Sequence, residues 1–152
     1  MAYPSTFEAN TLEENKKRID QLTTETQPLW GKMNVAQMLA HLNVTYRISR
    51  GDLKVEVKPI TRFFLKTFVK KSVVGEKPYP KNGQTAPYFL MTEEKDFNLE
   101  KEYLLESMKW VFEKGSDFFD GRPTGSFGKL TSKEWSNMFQ KHLDHHLKQF
   151  GV

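Results

Sequence analysis

Apolar residues recur at helical spacing along most of the chain, in stretches separated by segments rich in Pro and Gly. TLEENKKRIDQL sets Leu12, Ile19 and Leu22 on one side and predicts a first helix, which TETQPLWGK ends with Pro28 and Gly31. Asn34 is a good N-cap for a second helix, VAQMLAHLNVTYRIS, which stops at Gly51. PITRFFLKTFVKKS opens with Pro59, suited to a first helical turn, and carries Ile60, Phe63, Phe64 and Phe68 as an apolar face. VVGEKPYPKNGQTAPYFLMTEEKD holds Gly75, Pro78, Pro80, Gly83 and Pro87, so it cannot continue that helix. It is also too long for an idle connector, and it predicts an ordered loop across the bundle. Asp96 caps a fourth helix that ends at Gly115, with Leu99, Tyr103, Met108 and Trp110 among its apolar positions. SDFFDGRPTGSFGK reads as a further loop. Thr131, with Glu134 three residues later, forms a capping box and opens a final helix from Ser132 to about Phe150. No strand-like alternation persists, so the predicted class is all-α. The expected form is a four-helix bundle with a short N-terminal helical region and long ordered loops.

Composition adds boundaries to this picture. A chain of 152 residues, 38% hydrophobic with 12 Phe and 3 Trp, closes one core, and residues 1–152 read as a single domain. Cysteine is absent, which removes disulfides, thiolate nucleophiles and Cys-ligated zinc and leaves nitrogen and oxygen as metal ligands. The N-terminus has no basic segment leading into an apolar one, and no apolar run reaches bilayer length. A soluble, cytoplasmic protein with no membrane partner is the expectation. The net charge of +4 comes from 23 basic residues spread against 19 acidic ones without an Arg-rich block, which is a poor footprint for nucleic acid. RFFLKTFVKK interleaves basic and aromatic residues, a pattern that also suits a membrane surface or a nucleic-acid strand. Because the bundle needs a third core-facing helix, its phenylalanines are expected to be buried and its lysines solvated.

The final helix changes the functional picture, because KHLDHHLKQF holds three of the four histidines. On a wheel of about 100° per residue with Trp135 at zero, Phe139, Leu143, Leu147 and Phe150 span the buried arc. His142 and His146 fall at about −20° and about +20°, inside that arc, while His145 falls at about −80°, at its margin. Asp144 points away. Two inward imidazoles one turn apart cost desolvation at each nitrogen and oppose joint protonation. They are either hydrogen-bonded core residues or two ligands of one metal ion. The remaining histidine, His41, lies beside the apolar stripe of the second helix and can supply a third nitrogen, with Gln37 and Thr45 one turn away. Asn43 is a weak supporting candidate. Lys77 and Lys81, in the Pro-rich loop, are candidates for attracting an anionic substrate, although loop lysines are commonly just solvated.

LWGKMNVAQMLAHLN, GEKPYPKNGQTAPYF and FGKLTSKEWSNMFQKHLDHHLKQFG together resemble the DinB/YfiT-like superfamily of metalloenzymes, in one of its uncharacterised branches. The resemblance implies an up-down-down-up four-helix bundle, often homodimeric, with a divalent metal at one end. Its ligand pattern, one histidine on the second helix and two at i,i+4 on the last, falls on His41, His142 and His146. Thr124 and Gly125 stand where some relatives carry His-Pro before the FGKL stretch.

Three imidazoles leave a coordination position open, the arrangement of a catalytic zinc more than a structural one, and zinc and nickel both suit such ligands. The reading is therefore a metal-dependent enzyme that activates water or a thiol towards a small substrate, as a hydrolase or a thiol-dependent transferase. His145 is read as a partly exposed helix residue or as a group that orients substrate or relays a proton. The competing reading is a non-enzymatic bundle whose histidine or metal site serves structure, sensing or dimer assembly.

Overall fold

The computed structural model describes residues 2–152. Five helical segments carry the chain: α1 (Ala9–Asp20), α2 (Val35–Arg50), α3 (residues 59–74), α4 (Phe97–Phe119) and α5 (Ser132–Gln149). Between α4 and α5, β1 (Pro123–Thr124) pairs antiparallel with β2 (Gly128–Lys129), Thr124 opposite Gly128. The protein is thus mostly helical, as the all-α reading expects, with one small two-stranded sheet that the sequence did not announce. A two-residue strand is too short to show the alternation by which a strand is recognised in sequence.

The capping chemistry operates where the sequence places it. The Asn34 side chain accepts from the Gln37 N–H at 2.8 Å while the Gln37 side chain accepts from the Asn34 N–H at 3.0 Å. Thr131 and Glu134 make the same reciprocal pair at the start of α5. Gly51 ends α2 in the left-handed conformation, φ 87°.

Gly115 does not end α4. Its φ of 73° kinks the helix, which resumes over the next turn and carries Phe119 into the core. There the Phe119 ring packs against Phe7, Trp135 and Phe139. Burying this ring, at about 2–3 kcal/mol for a large apolar side chain, favours the extra turn over a loop.

The core is built by α1, α2, α4 and α5, through residues such as Ile19, Met38, Leu42, Leu104, Val111, Trp135, Phe139 and Leu143. With those four helices closing it, α3 is left outside. It runs as an α-turn over Pro59–Phe64, a wider π-turn over Leu65–Val69 and a last α-turn over Lys70–Val74, where Val73 and Val74 reach the core. The expected burial of its apolar face is therefore wrong: Ile60, Phe63, Phe64 and Phe68 are 84%, 68%, 60% and 64% exposed. Leu99 on α4 is likewise exposed.

Lys141 on α5 fastens the end of α3. It is fully buried, and its ammonium donates to the carbonyls of Ser72, Gly75 and Lys77 at 2.8, 2.6 and 3.2 Å. It also lies 4.6 Å from the centre of the Tyr79 ring. Desolvation lowers its pKa to about 8, so it stays charged at neutral pH. These contacts satisfy carbonyls at the end of α3 and aim the following loop across the histidine end of α2 and α5. Among the described residues no helix is long and apolar enough to cross a membrane.

Candidate metal centre

His41 sits in α2, followed one turn later by Thr45, and His142 and His146 sit one turn apart in α5. Packing of these helices brings the three rings together, with centroids 4.9, 4.6 and 5.0 Å apart. One nitrogen from each lies within 4.8 Å of the others.

Each Nδ1 is held by an oxygen. His41 Nδ1 is 2.9 Å from the Phe89 carbonyl, on the loop that crosses the site. A carbonyl only accepts, so that nitrogen carries the proton and the neutral ring presents an Nε2 lone pair. His146 Nδ1 is 2.7 Å from Gln149 Oε1. The orientation of that amide follows from its other end, because Gln149 Nε2 donates to the Trp30 carbonyl at 2.7 Å. His146 therefore also donates through Nδ1 and leaves Nε2 free. His142 Nε2 is 3.0 Å from His41 Nε2, and since His41 offers a lone pair there, His142 donates to it. His142 Nδ1 then accepts from the Thr45 hydroxyl at 3.1 Å.

The hydroxyl gives the cluster a second state. Thr45 can donate or accept, so His142 can move its proton from Nε2 to Nδ1 and keep a hydrogen bond. In that tautomer all three Nε2 atoms present lone pairs, each ring oriented by an oxygen on its far side, as metal-binding histidines are.

Burial sets the protonation. Desolvation holds His142 well below the ordinary imidazole range, reinforced by His41 and His146. It lowers His146 to about 3 and also lowers His41, against the opposing effect of the Phe89 carbonyl. All three are neutral at pH 7, the form a metal requires.

His145 is outside the cluster. Its ring packs edge-on against His146, Tyr79 and Trp30 at 5.0, 5.7 and 6.0 Å. It lines a cavity of about 150 Å³ together with Trp30, Tyr79 and Lys81. The Lys81 ammonium lies 4.3 Å from the Trp30 ring centre. Lys77 does not line this cavity; its side chain is exposed and its carbonyl is taken by Lys141. Asp144 is occupied by Arg18 and Lys148, at 3.0 and 2.7 Å. Asn43 donates to the Glu100 carbonyl and carboxylate, away from the imidazoles.

Sequence reasoning did not assign Phe89, Gln149, Gly31 or Tyr79 to the site. Gln149 carried a usable signal, since it lies three residues after His146 on the same helix face. Gly31 carried none: a Cβ there would stand 2.5 Å from Gln149 Nε2, a contact only the fold reveals.

Fold and site define a mostly helical protein with a three-histidine cluster between two of its helices. The chain belongs to the family described as protein of unknown function (DUF1569), whose family model matches residues 1–151. No curated protein and no solved structure matches the chain.

Proposed function

We propose that His41, His142 and His146 hold one divalent metal, zinc or nickel, and that the protein is a metal-dependent enzyme acting on a small molecule. One observation carries the reading: three neutral imidazoles converge while an oxygen orients each from behind. A merely structural set of core histidines does not need three aligned nitrogens. Bound there, the metal would supply Lewis acidity to activate water or a thiol. Phe89, Thr45 and Gln149 fix the rings, Phe89 from the loop after α3. His145 and Lys81 line the cavity beside the cluster and are the groups offered to an anionic part of the substrate. A bundle of the DinB/YfiT type, up-down-down-up, fits this placement of one histidine on α2 and two on α5.

A second reading, a structural or sensory metal site without catalysis, has its own support. His41 and His146 are buried, and none of the three histidines lines the cavity. The test is metal analysis of protein purified without a nickel column, on the wild type, His142→Ala and His145→Ala. One equivalent is expected in the wild type and in His145→Ala, with severe loss in His142→Ala. Equal loss in both variants, or no metal in any fully loaded sample, rejects the assignment. Displacement of the metal's exchangeable ligand by azide, followed spectroscopically on cobalt-substituted protein, separates an open site from a closed one.

A further inference from the structure

We propose that α3 is a docking element for an anionic bilayer surface, which seats the protein peripherally without crossing it. The helix stands on the body by one side. Leu65, Val69 and Val73, four residues apart, are half-buried, whereas Ile60, Phe63, Phe64 and Phe68 are largely exposed. The Phe64 and Phe68 rings pack 4.7 Å apart, so these two exposed rings form one apolar surface, with Ile60 and Phe63 exposed on the turn before it. A patch of this kind on the face of a helix that the core leaves uncovered calls for an occupant.

The charges around the patch select that occupant. Residues 57–75 contain Lys58, Arg62, Lys66, Lys70 and Lys71 and no acidic residue. Lys70 is taken by Glu134, and Arg62 donates to the Gly125 carbonyl. Lys58, Lys66 and Lys71 make no ion pair among the described residues. Phenylalanines flanked by unpaired lysines, on a stretch whose carboxylates lie only at its ends, at Glu56 and Glu76, or are neutralised, as Glu134 is by Lys70, match an interface of acyl chains below anionic headgroups. A second copy of the chain matches less well. A two-fold axis through the patch lays it on its own image, and the lysines that rim it meet lysines. The attachment of α3 suits a load: Lys141 ties its last turn to α5, and the Arg62 guanidinium holds its first turns to the β1–β2 turn.

The experiment is vesicle flotation with the 152-residue protein at low ionic strength, using phosphatidylcholine alone and phosphatidylcholine with 30% phosphatidylserine as probes. The expected result is at least a tenfold larger bound fraction on the anionic vesicles, reduced by 0.5 M salt. It is lost in F63S/F64S and in K66E/K71E. Both double variants alter exposed positions, and an unchanged melting temperature confirms that they are folded. Equal binding to the two vesicle types, binding retained in F63S/F64S, or no binding to either overturns the proposal. So does a dimer in sedimentation equilibrium that F63S/F64S converts to monomer, because the patch is then covered by a second copy.

Discussion

Gln149 has one role at each end of its amide, accepting a hydrogen bond from His146 Nδ1–H and donating to the Trp30 carbonyl. Gln149→Leu keeps the volume and removes both bonds. We expect it to lower zinc affinity by about 10–100-fold, the usual cost of losing an orienting partner behind a ligand. It should also cost about 1–3 kcal/mol of metal-free stability by leaving buried polar groups unpaired. Chelator competition and denaturant unfolding measure the two effects separately. The protonation of the histidines gives a second expectation. Their folded-state pKa values lie below the ordinary 6.5, to about 3 for His146. Between those values the unfolded chain binds more protons than the folded one, so acid favours unfolding. Metal-free stability should be level in these groups above pH 6.5. It should fall below that, at roughly 1.4 kcal/mol per pH unit for each proton excluded. Denaturant titrations between pH 4 and 8 check the slope, and a stability that rises as pH falls contradicts the buried neutral cluster.

At the level of elements, the segment before α2 is coupled to the end of α5. Gly31 has φ 86°, and the space where its Cβ would go is filled by the Gln149 amide. Gly31→Ala should therefore cost about 1–2 kcal/mol for the left-handed backbone and displace Gln149, lowering metal affinity in the same direction as Gln149→Leu. Thermal melts and the same chelator competition test it; stability loss with metal affinity unchanged would separate Gly31 from the site. This contact also marks the boundary of what the chain discloses in one dimension. Helix starts were legible because Asn34 with Gln37 and Thr131 with Glu134 are local chemistry written within four residues. The facing of His142 and His146 was legible because it depends only on helical period and on the apolar residues around them. The fate of α3 was not, since an amphipathic stripe announces that a face exists and says nothing of what will cover it. Gly115 misled for a related reason: as a local signal it ends a helix, and the core then reclaims Phe119 one turn later.

Across the whole molecule, the buried core joins α1, α2, α4 and α5, while the histidine cluster lies where α2 and α5 meet beneath the loop that follows α3. His41 and His142 are 101 residues apart in sequence. In polymer terms, bringing them together closes a long loop, and the entropy lost in doing so has to be met before any ligand set exists. On the proposed reading, a metal bound by all three histidines would therefore not seed folding; it would arrive after the helices have packed. It would act as a latch, in a chain that has no cysteine with which to make a covalent one. Interactions absent from the folding transition state slow unfolding and leave the folding rate alone. In stopped-flow measurements, saturating zinc should lower the unfolding rate at least tenfold and move the refolding rate by less than about twofold, as expected for contacts formed late. Comparable changes on both limbs would mean that the two histidine helices meet early. Where zinc slows unfolding alone, the protein's lifetime against unfolding is a function of metal supply, set by how often the latch is found open.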